Sequence, residues 1–407
     1  MAHVIRPSEE EELSSFIAEA AESGVPIEVF GAGSKRDIGR PLQVEATVSS
    51  ENLTGITLYE PSELVLSAGS GTPLADVEEL LHQYNQQLPF EPIDLGPVLK
   101  GEAGQGTLGA VFATNLSGPR RIYAGSARDH LIGMRAINGR GELFKSGGRV
   151  MKNVTGYDLS RTLTGSWGTL AVMTEVTMKV LPIAEETRTL LFFDLLDEIA
   201  INLMCDAVIT PYEISATVHI DRDLVSQIAP DELASMGKSI TAIRLENFSE
   251  SLDYRIDQLR SQFQSYGDIE LLNDAQSLEF WSSIRQLKFL QHSHDPVWRI
   301  STLPKNAAEI IRGIRAHHPQ CSAVYEWSGG LIWLLMPPLS DAGTSEVRRS
   351  VGALGGHATL IRSDVSTRAS VEVFHPLQKG PMQLTQQLKN VFDPAGILNP
   401  GRMYPGI

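Results

Sequence analysis

Gly104-Gln105-Gly106-Thr107-Leu108-Gly109 spells G-x-G-x-x-G, the pattern that in a dinucleotide-binding βαβ unit sets a pyrophosphate at the start of a long helix. Its surroundings do not supply that unit. Upstream stands Glu91-Pro92-Ile93-Asp94-Leu95-Gly96-Pro97-Val98, which two prolines break and which does not read as a buried parallel strand. Downstream, no long helical periodicity follows. The chain contains no G-x-x-x-x-G-K-[ST] either, so a P-loop is unsupported. The hexapeptide is therefore one glycine loop among several, and the expected fold class is α+β.

Working outward, the periodic stretches surround such loops. Leu13, Phe16, Ile17 and Ala20 repeat at helical spacing up to Gly24, with Ser8 and Glu11 as a capping box ahead of them. Pro26 to Phe30 reads as a short buried strand that runs into Gly31-Ala32-Gly33-Ser34-Lys35. Leu64 to Ser67 is a second strand, and Thr72-Pro73 opens a helix whose inner stripe is Val77, Leu80, Leu81 and Tyr84. Asn138-Gly139 marks a hairpin turn, and Val172 to Val180 alternates as a strand that stops at Pro182. A tail helix over 381–391 carries Leu384, Leu388 and Val391 before Asn399-Pro400-Gly401-Arg402. These signals place domain boundaries at 1–183, 184–355 and 356–407. Four Gly/Ser/Thr loops, Gly31 to Lys35, Gly106 to Asn115, Gly118 to Ser126 and Gly165 to Thr169, together can cradle a diphosphate with backbone N–H groups and hydroxyls alone.

That economy suits the composition. The chain has 407 residues, 42% hydrophobic and 20% charged, with 34 Lys and Arg against 49 Asp and Glu, a net charge of −15. Such a field repels nucleic acid and anionic lipid. No uncharged apolar run approaches the roughly 18 residues of a membrane span, and Met1 to Glu12 carries no apolar leader. A cytoplasmic protein is expected. Two cysteines, Cys205 and Cys321, are too few for a four-thiolate cluster, so redox chemistry here needs a bound organic cofactor.

Several of these segments, in this order, resemble the vanillyl-alcohol-oxidase, or PCMH-type, FAD-binding family: Gly31 to Lys35, Glu91 to Gly96, Gly106 to Gly109 with Ala113-Thr114-Asn115, Lys152 to Leu159, Gly165 to Thr169 and Asn399 to Gly401. Within it, Ser117 to Arg121, Gly148 to Asn153, Trp298 to Ser301, Gly355 to Ala358 and Asn399 to Met403 are similar to the FAD-binding subunits of glycolate oxidase (glycolate dehydrogenase). The resemblance implies a PCMH-type FAD-binding domain of two α+β subdomains, an α+β cap, and a C-terminal segment that returns to the flavin. Position by position, it assigns to FAD the residues Gly31, Ala32, Gly33, Ser34 and Lys35 on one side and Thr107, Leu108, Gly109, Ala113, Thr114 and Asn115 on the other. Gly118, Ser126 and Asp129 continue the cradle, Lys152 and Gly156 belong to the flavin end, Gly168, Thr169 and Val172 lie along the cofactor, and Asn399 reaches the isoalloxazine. Gly31 to Gly39 holds no histidine or cysteine, so FAD is expected to be noncovalent.

Oxidising a 2-hydroxy acid needs a cation for its carboxylate and a base for its hydroxyl proton. Arg299 and His357 are the catalytic candidates. Gly355-Gly356-His357-Ala358 offers one histidine where related dehydrogenases carry a His-Gly-Glu-His metal site, so no metal is expected. Reduced FAD must pass on its electrons, and the resemblance implies two partners within a glycolate oxidase complex. One is a second FAD subunit that holds the glycolate site, the other an iron-sulfur subunit leading toward the respiratory chain, with membrane association only through the complex. A self-sufficient FAD oxidase of another small acid or alcohol, and a flavin-stabilised scaffold without catalysis, both stay open at this stage.

Overall fold

A computed structural model describes residues 4–148, 157–228 and 231–407. The chain divides into two compact units, the first made of Met1–Ser117, Gly125–Ile183 and Pro376–Ile407, the second of Gly118–Ala124 and Ala184–His375. The C-terminal return thus begins at Pro376 and not at 356. The reason is that His357–Arg362 is a strand of the second unit's sheet.

The first unit has two α+β layers. In one, Val4–Ile5, Ala46–Ser49 and Ile27–Phe30 form a parallel three-stranded sheet. The helix Glu10–Ser23 buries Leu13, Ile17 and Ala20 in a core shared with Ile27, Val48, Val172 and Leu398. Gly24, at φ 65°, ends this helix in the left-handed conformation that suits glycine. The capping box does not form: the cap residue is Glu9, so Ser8 stands outside the helix and its N–H donates to Glu12 at 2.9 Å.

In the other layer, five antiparallel strands run in the order Ile56–Glu60, Val65–Gly69, Ala171–Lys179, Leu131–Asn138, Leu143–Gly147. Helices Leu74–Gln83 and Leu108–Thr114 contribute Val77, Leu81, Val111 and Phe112 to its core. Ala171–Lys179 is almost wholly buried, so its alternating sequence reflects strand propensity and not a wet face.

The tail closes this unit. Ile397 accepts from the N–H of Ile27 at 2.8 Å, and Leu398 bridges Ile27 in parallel. The helix Lys379–Phe392 departs from the expected facing: Leu384 and Val391 are 63% and 60% exposed, while Lys389 and Phe392 are buried. Its phase is set by Lys389, whose ammonium donates to Thr169 O at 2.7 Å and Leu398 O at 2.9 Å and pairs with buried Asp393 at 2.8 Å.

The second unit is built on an eight-stranded antiparallel sheet in the order Ile269–Leu272, Glu186–Phe193, Ile240–Asn247, Ile214–Ile220, Ser322–Glu326, Leu331–Leu335, Val297–Ser301, His357–Arg362. Helices Asp197–Val208 and Ser249–Phe263 cover one part of it through Leu203, Ala207, Leu252, Ile256 and Leu259. Among the described residues no helix is long and apolar enough to cross a membrane.

Candidate functional site

Where Ile27–Phe30 ends, the chain turns through Gly31 to Lys35 into a cleft enclosing about 710 Å³ of space open to solvent. Of the residues expected to hold a diphosphate cofactor, Gly31, Ala32, Gly33, Ser34, Lys35, Gly109, Ala113, Thr114, Gly168 and Val172 line it. Gly31 and Gly109 are there because nothing larger fits. A Cβ on Gly31 would stand 2.2 Å from Thr107 Oγ1, and one on Gly109 would stand 2.6 Å from Ser70 Cβ.

The polar inventory of the cleft fits an anionic dinucleotide. Among the described residues, the N–H groups of Ala32, Gly33, Ser34 and Lys35 donate to no backbone carbonyl. Ser70 Oγ in the lining and Thr107 Oγ1 beside Gly31 are buried with no hydrogen-bond partner, each an arrangement that costs about 1–3 kcal/mol unless a ligand satisfies it. Lys35 is buried as well, and loss of water pushes its ammonium below the usual lysine range while Asp94 opposes the shift. An anion at this position would favour its charged form.

Other expected contacts are used elsewhere. The N–H groups of Leu108 and Gly109 donate to Thr72 O at 2.9 Å and Ser70 O at 2.7 Å, so neither is free for a phosphate. Asn115 accepts from Arg128 N through Oδ1. Ser126 and Asp129 cap one another across a single turn, with Asp129 accepting from Ser126 N and Oγ, both at 2.8 Å. Thr169 is buried and donates to Ser166 O. Gly118 belongs to the second unit. Asn399 does not reach for a ligand: fully buried, it accepts from Val29 N at 2.8 Å and donates to Val29 O and Trp167 O at 3.1 and 2.8 Å. It is a clamp that ties the tail to the first strand and to the 165–169 loop. Lys152 and Gly156 lie outside the described residues.

Ser166 and Trp167, inside the expected 165–169 loop, are in the lining too, and the sequence reading missed Ser70, Met173 and Arg402 there. Ser70 had a signal, its place between Gly69 and Gly71 at the end of a strand. Arg402 had one too, directly after Asn399-Pro400-Gly401; its Nη2 donates to Lys35 O at 2.8 Å.

In the second unit, Arg299 lies on Val297–Ser301 opposite Thr359, and Ser301 lies opposite His357. Arg299 and His357 are therefore diagonal neighbours on one face of the sheet. Burial, followed by the nearby charge of Arg121, pushes the Arg299 guanidinium down to about 10, with Glu326 opposing. His357 keeps an exposed edge, yet crowding by protein and the facing Arg299, His375 and Arg121 push its imidazole down to about 4. It is neutral at physiological pH.

Sequence reading also missed a polar cluster in which ligating atoms of Asp197, His219 and Asp221 lie within 4.8 Å of one another. Arg315 pairs with both carboxylates, and Tyr325 donates to Asp197. Arg315 thus supplies a cation that balances these carboxylates.

With this geometry in hand, relatives can be compared. The FAD binding domain family matches residues 1–147. Glycolate oxidase subunit GlcE of Escherichia coli (strain K12) is 34% identical over 391 residues, covering 95% of each chain. The chain belongs to the GlcE family of FAD-binding subunits. The chain is also similar to glycolate oxidase subunit GlcD of Bacillus subtilis (strain 168), at 22% identity over 98% of this chain and 88% of that one. In fold, the chain resembles p-cresol methylhydroxylase with substrate bound, with a TM-score of 0.74 over 99% of this chain and 88% of that one at 13% identity. The PCMH-type fold, the FAD cofactor and the assignment to FAD-dependent oxidoreductases follow from these relations.

Proposed function

We propose that this chain is the FAD-binding subunit of a complex that oxidises glycolate to glyoxylate and delivers the electrons to an iron-sulfur partner. The observation that carries the reading is the first unit's cleft, where, among the described residues, the N–H groups of residues 32–35 donate to no backbone carbonyl and the buried hydroxyls of Ser70, in the lining, and Thr107, beside Gly31, have no partner. Its support from outside the cleft is the GlcE relative, aligned over nearly the whole of both chains.

FAD, when bound, supplies the acceptor for two electrons. The chain's own part is to hold it noncovalently: N–H groups of residues 32–35 and the Lys35 ammonium take the diphosphate, Ser70 and Thr107 offer hydroxyls, and Gly31 and Gly109 permit the close approach. Arg299 pairs with a substrate carboxylate, and neutral His357 accepts a hydroxyl proton. Cys205 and Cys321 are both free and cannot ligate a cluster between them, which supports an iron-sulfur subunit as the exit for electrons; a second FAD subunit works beside it. The complex works in the cytoplasm, and its partners bring it to the membrane.

The test is an anaerobic absorbance spectrum of the purified full chain with FAD, before and after glycolate. Bound flavin that bleaches with glycolate, alone or once the second FAD subunit and the iron-sulfur subunit are added, supports the reading. A chain that takes up no flavin, or flavin that stays oxidised in the full complex, overturns it.

A further inference from the structure

We infer that the second unit carries an anion site of its own, formed by Arg121 and Arg299 on the indole of Trp327, and that it takes a small 2-hydroxy carboxylate. The inference deepens the functional reading above and rests on it for the class of substrate. The residue it adds is Arg121.

Arg121 comes from Gly118–Ala124, the short segment that packs with the second unit. Trp327 fixes that segment, its Nε1 donating to Gly118 O at 3.0 Å. The Arg121 guanidinium stands 4.6 Å from the centre of the Trp327 ring, and Arg299 stands 5.2 Å from the same ring and 5.9 Å from that of Trp333. Two guanidiniums thus share one aromatic platform. A ring face attracts each cation separately but does nothing to relieve their mutual repulsion.

Glu326 is the acidic group that offsets Arg299. It is buried, and its Oε1 already accepts from Trp333 Nε1 at 2.7 Å. Arg299 Nε is sealed from water with no hydrogen-bond partner, although the residue as a whole keeps some exposure. Arg121 is likewise partly exposed. In a chain of net charge −15, Arg121, Arg299 and the neutral His357 lie close enough for their charges to act on one another.

The ligand this arrangement fits is a planar anion with two equivalent oxygens. A carboxylate accepts charge-assisted bonds from two guanidinium forks at once. His357, on the same sheet face as Arg299 and close enough to feel Arg121, leaves a neutral nitrogen beside it for a hydroxyl on the adjoining carbon. Arg299 alone would bind any carboxylate. Arg121 as a second fork selects a small one whose two oxygens can face both arginines.

The experiment is titration calorimetry of the full chain loaded with FAD, using oxalate as probe, with inorganic phosphate in parallel and flavin content read on each sample. Saturable oxalate binding is expected, tighter than phosphate, and weakened about tenfold or more by Arg121→Gln but less by Arg121→Lys. If Arg121→Gln comes out without flavin, Arg299→Gln is read in its place with the same expected loss. Oxalate that does not bind the wild-type chain, binds Arg121→Gln as tightly, or binds no better than phosphate overturns the inference. Failure of the wild-type chain to hold flavin counts against the functional reading instead, because the two arginines and Trp327 all lie in the second unit.

Discussion

The loop Gly31 to Lys35 and the strand Val297–Ser301 make binding surface in opposite ways. The loop uses backbone: Gly31 pressed to within contact of Thr107, N–H groups left unspent, and one buried lysine. The strand uses side chains that no local sequence brings together, Arg299 on a sheet with His357 across a ladder and Arg121 from a distant segment. A backbone site cannot tolerate added volume and barely registers side-chain charge. A side-chain site behaves the other way.

The sharpest break of that contrast is Gly109→Val. Its Cβ would sit 2.9 Å from the carbonyl oxygen of Ser70, a backbone atom that cannot rotate away, so loss of all flavin absorbance in the purified protein is expected. Retained flavin would show that the cradle is softer than its packing. Gly31→Ala meets only the Thr107 side chain, so Thr107→Ala should restore part of the flavin content it loses.

Next in size is Lys389→Met, which leaves Asp393 buried beside the tail without its cation. A loss of about 3–5 kcal/mol in urea unfolding is expected. Asn399→Ala deletes three buried hydrogen bonds to Val29 and Trp167. A loss of about 3 kcal/mol in the same assay is expected. An unchanged urea midpoint for Asn399→Ala together with a shifted flavin spectrum would return Asn399 to the cofactor.

A smaller effect tests the second unit through pH. With the folded imidazole pushed down to about 4 from an ordinary value near 6.5, His357 stays unprotonated as pH falls through about 6. Glycolate-dependent bleaching that uses it as base should therefore hold level down to about pH 5 and decline toward 4. The sign for stability is the same: the unfolded chain takes the proton first, so any contribution of His357 is present above about 6.5 and is lost as pH falls toward 4. A decline centred near 6.5 would mean that an unperturbed histidine is the base. Smallest of all, Leu384→Gln on the exposed side of Lys379–Phe392 should change the urea unfolding free energy by less than about 0.5 kcal/mol. A larger loss would mean that this side is covered.

What was legible from sequence follows from locality. Period and punctuation suffice for Glu10–Ser23, for the Asn138-Gly139 hairpin and for the glycine loops, because the backbone conformations they demand are set by neighbours in the chain. The tail helix shows the limit. Its apolar row looked like a buried face, yet Lys389 turns inward because Thr169, Leu398 and Asp393 present acceptors there, and nothing near residue 389 announces them. Asn399 was found as a residue that matters, but its bonds to Val29 and Trp167 were not legible, since those partners lie hundreds of residues upstream.

By itself, the amino-acid sequence determined the α+β class, the glycine cradle and its economy of positive charge, the lack of thiols for a cluster, and the kinship with FAD-binding subunits, all properties of short stretches or of composition. Only the tertiary structure decided which N–H groups remain for a ligand, which hydroxyls are stranded, that Asn399 is a clamp, and that Arg121 joins Arg299 over Trp327. Those depend on which atoms come within about 3–5 Å, and such proximities are fixed by strand register and packing between segments far apart in the chain.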